Sequence, residues 1–254
     1  MATKAEISFV KSLQLKKFRD EHLKFVVEGP KLVQEAVNSS FTVDCIYTTD
    51  IALISDFKLH ETTKIVVVSE KELDQISGLQ TPNKLVAVVD YKNLTDLQAQ
   101  LLNGLVIVLD QISDPGNLGT IIRIAEWFGA KSIICSNDTV DVYNPKVVQA
   151  SMGSVFRLPV HYTDIEVLLS NEFVQLQLPV VGATLSGGSL YDTSFAKDMI
   201  IVFGNESRGV SPKIHNLLKQ SIKIDSAISS QAESLNVSAA VSVICSEYLR
   251  QNRG

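Results

Sequence analysis

Leu105-Val-Ile-Val-Leu109, Asp110-Gln-Ile-Ser-Asp114 and Pro115-Gly-Asn-Leu-Gly-Thr-Ile-Ile-Arg-Ile-Ala125 follow one another without a break, and their reading decides the fold. Five apolar residues with no polar interruption describe a strand covered on both faces, as in the middle of a parallel sheet. Pro115-Gly116 turns the chain, and Asn117 is placed to cap a helix running to about Phe128. A strand follows at Ser132–Cys135, with others at Val180–Ala183 and Met199–Phe203. Helices near Pro145–Ala150, Asp164–Leu169, Pro212–Leu218 and Ser234–Arg250 separate or follow them. Strands alternating with helices define an α/β fold with a mainly parallel sheet.

Upstream lies a smaller α/β unit. Ala5–Phe18 reads as a helix with Phe9, Leu13 and Phe18 toward one side. Phe25–Val27 is a short strand, closed by Glu28-Gly29, and Pro30 opens a helix to about Val37. Strands are expected at Val43–Tyr47, Ile65–Val68 and Leu85–Val89, with Glu70–Ile76 helical, which makes a βαβ-like arrangement. The polar connection Asn93–Gly104 is the best place to divide the chain. The expected organisation is a front domain over 1–92, a linker over 93–104 and a second domain over 105–254.

The chain has 254 residues, 45% hydrophobic and 20% charged, with a net charge of −5. That excludes histone-like binding of nucleic acid through a strong positive field. The average hides a gradient. Residues 1–31 hold seven Lys/Arg against four acids, a charge of +3, whereas the rest hold 16 against 24, a charge of −8. Cys45, Cys135 and Cys245 are far apart and sit among apolar residues, so core packing is expected, with neither a disulfide framework nor a zinc cage. His22, His60, His161 and His215 have no metal-ligand spacing, and no metal is expected. The N-terminus lacks an apolar signal core, and the apolar runs are strand-length, so a cytoplasmic protein without a membrane span is expected.

Three segments exceed ordinary punctuation. In the first, Arg123 stands between Ile122 and Ile124, an expensive place for a charge unless it is paired, exposed or faces a cleft. In the second, Val202-Phe-Gly-Asn-Glu-Ser-Arg-Gly-Val-Ser-Pro212, a buried-looking strand runs into a glycine-bearing loop. Ligand pockets of open α/β sheets form at such strand ends. In the third, Glu233-Ser-Leu-Asn-Val-Ser238 opens a long helix of small and apolar residues that reads as buried all round. Asn236 lies beyond the best cap position of a helix beginning at Ser234. A weaker fourth segment is the glycine-rich Gly182-Ala-Thr-Leu-Ser-Gly-Gly188. Neither a phosphate-binding P-loop nor the G-x-S-x-G nucleophile turn is present. A dinucleotide site fits in part: Gly116 and Gly119 follow a strand and Asp138 lies about 20 residues on, but the spacing is G-x-x-G.

Taken together, Asn117-x-Gly119-x-x-x-Arg123-x-Ala125, Phe203-Gly-Asn-Glu206-x-x-Gly209 and Glu233-Ser-Leu-Asn-Val-Ser238 resemble the three ordered signature motifs of the SpoU/TrmH family of RNA methyltransferases. Ser151-x-Gly153 with Phe156-Arg-Leu-Pro-Val160 also looks like a family segment, so the resemblance covers 105–254. Phe25-Val-Val-Glu-Gly-Pro-Lys-Leu-Val-Gln-Glu-Ala36 is similar to the L30e-like substrate-binding domain found in front of many members. The resemblance implies transfer of a methyl group from S-adenosylmethionine to a ribose 2′-hydroxyl of ribosomal or transfer RNA, ribosomal RNA being favoured. It also implies a deep trefoil knot and a homodimer. Catalytic roles carry over to Arg123, Asn117, Glu206, Ser234 and Asn236. Cofactor contacts carry over to Gly204, Ile224 and Leu235, and also to Thr184 and Gly187. Lys16, Lys17 and Arg19, in the basic front segment, are the expected RNA contacts. Two features depart from the family pattern: Asp225 follows Ile224 where a proline is usual, and the loop Asp225–Glu233 is longer and rich in serine. The rival readings are a nicotinamide-dependent oxidoreductase and an RNA-binding protein without activity.

Overall fold

The structure, a computed structural model, describes residues 2–92, 97, 104–171 and 177–253. It has two compact units. One comprises Met1–Asn93 and Asp141–Arg157, the other Leu94–Val140 and Leu158–Gly254. The connection expected over 93–104 lies, apart from Leu97 and Gly104, outside the described residues.

The first unit opens with α1 (Lys4–Ser12) and α2 (Lys16–His22) in place of the single expected helix. Thr3 caps α1 in a reciprocal box with Glu6. The break falls at Leu15, which is extended, and Arg19 takes up the carbonyls left free there. Its Nη1 donates to Leu13 O at 3.0 Å and to Gln14 O at 2.9 Å. After these come β1 (Lys24–Glu28), α3 (Pro30–Val37), β2 (Val43–Thr48), β3 (Lys64–Val67), α4 (Glu70–Ile76) and β4 (Leu85–Asp90). The sheet order is β1-β4-β2-β3. β4 is antiparallel to both neighbours and only β2–β3 is parallel, so the front sheet is mixed rather than βαβ-like.

The second unit is built on β5 (Leu105–Leu109), α5 (Pro115–Trp127) and β6 (Ser132–Ser136). The chain passes through α6 (Pro145–Ser151), which belongs to the first unit, and returns at β7 (Val160–Thr163). α7 (Ile165–Ser170), β8 (Val180–Ser189), β9 (Met199–Phe203), α8 (Pro212–His215), β10 (Gln220–Lys223) and α9 (Val237–Asn252) complete it. The sheet order is β10-β8-β9-β5-β6-β7, and every neighbouring pair is parallel. β5 is fully buried, as its unbroken apolar run requires, and pairs with β9 from Leu105↔Met199 to Leu109↔Phe203. The edge strands β7 and β10 were not expected. They are four residues each, and β10 buries only Ile222. β8 leaves the ladder midway: Ser221 faces Gly182, but the next residue, Ile222, faces Gly188.

α9 is not buried all round. Val237, Val241, Ile244, Cys245 and Tyr248 face the core, whereas Ala239 and Ser246 are exposed. All three cysteines are buried free thiols, and burial pushes them up, Cys245 to about 12, so they pack as inert apolar groups. Among the described residues, no helix is long and apolar enough to cross a membrane.

Segment 141–157 is fastened inside the first unit by two ion pairs and a cluster of rings. Arg19, 2% exposed, donates through Nη2 at 2.6 Å and Nε at 3.1 Å to Asp141 Oδ2. Tyr143 stacks against Phe25 and Tyr91 with ring centroids 4.4 and 4.3 Å away. Arg157 pairs with Glu35. Removing one partner of a buried pair leaves the other uncompensated, at about 3–5 kcal/mol. Arg19→Ala, which also orphans two carbonyls, is expected to lose stability of that order in urea denaturation. A loss of less than about 1 kcal/mol, the usual value of a surface pair, would contradict this role.

Candidate active site

The carboxyl ends of β5 and β9 lie side by side, and the loops leaving them build the site. The segment after β5 is capped by Asp114, not Asn117: Asp114 Oδ1 accepts the Asn117 N–H at 2.8 Å, and Pro115 takes the first helical position. Capping by Asp114 releases the Asn117 side chain for other work. Asn117 Nδ2 donates to Glu206 Oε1 at 3.0 Å, and Asn117 Oδ1 accepts from Asn236 Nδ2 at 3.0 Å. Asn236 is itself the cap of α9, whose first residue is Val237, and its Oδ1 accepts the Ser238 N–H at 2.9 Å. One amide thus bridges three segments far apart in sequence.

The loop after β9 crosses its own continuation. A Cβ on Gly204 would lie 2.1 Å from the carbonyl carbon of Gly209 and from the nitrogen of Val210. Asn205 and Gly209 exchange both backbone hydrogen bonds at 2.9 Å, and Gly209 has φ +70°. A second close approach lies where β8 leaves the ladder: a Cβ on Gly187 would stand 2.5 Å from the nitrogen of Ile222. The chain's own backbone therefore requires glycine at 187 and 204. Any ligand contact there comes from peptide groups. Thr184, on the same excursion, has a buried hydroxyl with no hydrogen-bond partner among the described residues. Such an atom calls for a partner from elsewhere.

The remaining expected residues spread around this centre. Ile224 is half-buried, Leu235 is 52% exposed, and Ser234 is exposed. Asp225, the residue that departs from the family pattern, accepts a hydrogen bond from Ser189 Oγ. Arg123 is exposed on α5 and is not part of the Asn117 network. Six residues on from Asn117, it projects about 120° away around the helix. In the first unit, Lys16 is exposed and pairs with Asp20 at 2.8 Å, and the exposed Lys17 lies 5.7 Å from the Phe18 ring. Arg19 is the correction. Its guanidinium is buried and committed to Asp141 and two carbonyls, so it is withdrawn from the RNA contacts. Sequence reasoning missed Asp114, although Asp followed by Pro is a helix-start signal. It also missed Trp127, 82% exposed one turn beyond Arg123.

Residues 104–246 match the SpoU rRNA Methylase family, and residues 4–87 match the MRM3-like substrate binding domain. The chain belongs to the SpoU rRNA methylase family. It is 29% identical over 235 residues, 92% of each chain, to the 23S rRNA (guanosine(2553)-2′-O)-methyltransferase RlmP of Bacillus subtilis. A TrmH-family protein from Porphyromonas gingivalis superposes with TM-score 0.91 at 34% identity, covering 99% of this chain and 100% of its own. The SpoU methyltransferase AviRb from Streptomyces viridochromogenes, solved with AdoMet, superposes with TM-score 0.85 at 26% identity over 98% of each chain. Membership makes this chain a methyltransferase with S-adenosylmethionine as its methyl donor. The unpartnered hydroxyl of Thr184 fits such a ligand, which has polar atoms to bond and no phosphate to neutralise.

Proposed function

We propose that this protein methylates a ribose 2′-hydroxyl of RNA, ribosomal RNA before transfer RNA, and that Asn117, Glu206 and Asn236 set the geometry of its site. The observation that carries this is the bridge from Asn117 to Glu206 and Asn236, which ties the three motif segments together at the strand ends. S-adenosylmethionine supplies the methyl group when bound. Thr184 and the peptide groups around Gly187, Gly204, Ile224 and Leu235 would hold it. The favoured RNA class follows from the relatives, which include a 23S rRNA methyltransferase over nearly the whole chain. The cytoplasm is the compartment this reading takes.

The chain's own residues have two tasks. The 2′-hydroxyl must be aimed, and its proton must leave as the new bond forms. A guanidinium stays protonated, so Arg123 acts as a fixed positive charge rather than a base. It grips the hydroxyl or the adjacent phosphate and favours the alkoxide, while the proton leaves to phosphate or water. Glu206 fixes the Asn117 amide, Asn117 fixes Asn236, and the exposed Ser234 completes the rim. Arg123→Ala is expected to lower kcat by about a hundredfold or more in a labelled-methyl transfer assay, with RNA and cofactor still bound. Intact transfer in that variant would refute the role.

The close approaches at Gly204 and Gly187 support reading the carboxyl end of the second sheet as a deep trefoil knot. The four-stranded front sheet with its flanking helices supports an L30e-like domain. RNA contact by that domain rests on Lys16 and Lys17. Lys16→Gln with Lys17→Gln should weaken RNA binding and flatten its salt dependence, by about 0.7–0.9 in log–log slope per lost phosphate contact. An unchanged slope would take α2 off the RNA surface.

A homodimer accounts for the outer faces of α5 and α9. Trp127 is almost fully exposed, Ile124 and Val243 are half-buried, and Ala239 and Ser246 leave room for close backbone approach. The protein is expected to sediment as a dimer and Trp127→Glu as a monomer. A monomeric wild type at micromolar concentration would remove this part of the reading.

A further inference from the structure

Two buried polar side chains in the second unit, Asp110 and Asn205, have no part in the proposed chemistry, yet both are spent on one short segment. Asp110 is 3% exposed and Asn205 8% exposed. The segment is Gly204–Ser211, between β9 and α8, and its only large apolar residue is Val210. Apolar packing alone therefore does little to shape it. Polar ties do. Asn205 Oδ1 accepts the N–H groups of Ser207 at 3.0 Å and Arg208 at 3.2 Å. Asn205 Nδ2 donates to Gln111 O at 2.8 Å. Asp110 Oδ2 accepts the N–H of Ser211 at 2.7 Å. The Asp110 N–H donates to Phe203 O at 2.8 Å, extending the β5–β9 ladder by one residue.

Position 205 uses a side chain that accepts twice on one side and donates on the other, and an amide does both from two separate atoms of one rigid group. Its target is equally specific. Gln111 has φ +61°, in the left-handed region that a non-glycine residue seldom adopts, and its N–H is held by Ser136 Oγ at 2.9 Å. The Gln111 carbonyl is thus aimed at Asn205 from a fixed backbone. Glu206, next along the chain, carries the carboxylate that meets Asn117.

We infer that Asn205 and Asp110 are positioning residues for methyl transfer: together they clamp the segment 204–211 so that Glu206 is held against Asn117. This rests on the proposed role of Glu206. An ångström of misplacement in a positioned group is worth about a hundredfold in rate, so the clamp acts on turnover more than on cofactor binding.

The test is a double-mutant cycle in single-turnover methyl transfer, using the full chain. Asn205→Asp keeps the acceptor for Ser207 and Arg208, loses the donor, and sets a carboxylate against the Gln111 carbonyl. It should lower the rate by about tenfold or more, with cofactor affinity within about twofold of wild type. Added to Glu206→Ala, which removes the acceptor for Asn117, it should cost less than about twofold further, because residues acting through one another are not additive. Asp110→Ala should resemble Asn205→Asp, and Asp110→Asn, which keeps an acceptor for Ser211, should recover most of the rate. The Asp110 pair also decides the matter should Asn205→Asp fail to fold. A wild-type rate for Asn205→Asp, full additivity with Glu206→Ala, or an Asp110→Asn as poor as Asp110→Ala would each overturn the clamp. A wild-type rate for Glu206→Ala, which removes the acceptor for Asn117, would instead overturn the role of Glu206 on which the clamp is built.

Discussion

The carboxyl end of the second sheet depends on two pieces of backbone passing closer than any side chain allows. At Gly204 the missing Cβ position is filled by the peptide of Gly209 and Val210. Because that approach is possible, the loop folds back on itself, Asn205 pairs with Gly209, and Glu206 projects from the turn between them. Any larger residue at 204 would force the crossing apart, and the contact with Asn117 would go with it. The site is thus held by exclusion as much as by attraction.

How much of this was legible in the sequence depended on the range of the interactions. The run Leu105–Leu109 announced a buried parallel strand because burial on both faces leaves no polar position. Asn117, Glu206 and Asn236 could be singled out from ordered motifs, and the structure brings all three together. The roles of the two asparagines at helix starts could not be assigned, since Asp114 and Asn117 are both plausible caps and only the distant Glu206 and Asn236 show which side chain must stay free. A helix start at Ser234 misplaced Asn236 in the same way. The edge strands β7 and β10 escaped notice because they are short and paired on one side only, so no strong pattern is imposed on them.

Charge counting met the same limit. The excess of Lys and Arg in residues 1–31 is real, but one of its members, Arg19, is consumed inside the fold by an acid 122 residues away. Lys17 and Arg19, two positions apart in sequence, stand one in solvent and one in the core. The positive end of this protein is therefore smaller on its surface than in its composition, and it rests more heavily on the lysines. An acidic body with a few exposed cations is suited to recognising RNA by shape.

The fastening of Asp141–Arg157 into the first unit also has a consequence for biosynthesis. Arg19 and Phe25 leave the ribosome long before Asp141 and Tyr143, the groups that cover them. At about 5–20 residues per second, that interval is on the order of ten seconds. Through it the nascent front domain carries an unpaired guanidinium and a bare aromatic surface. It is a domain finished from the other side of the chain, and its exposure to chaperones and proteases is set by the speed of translation between codons 19 and 157.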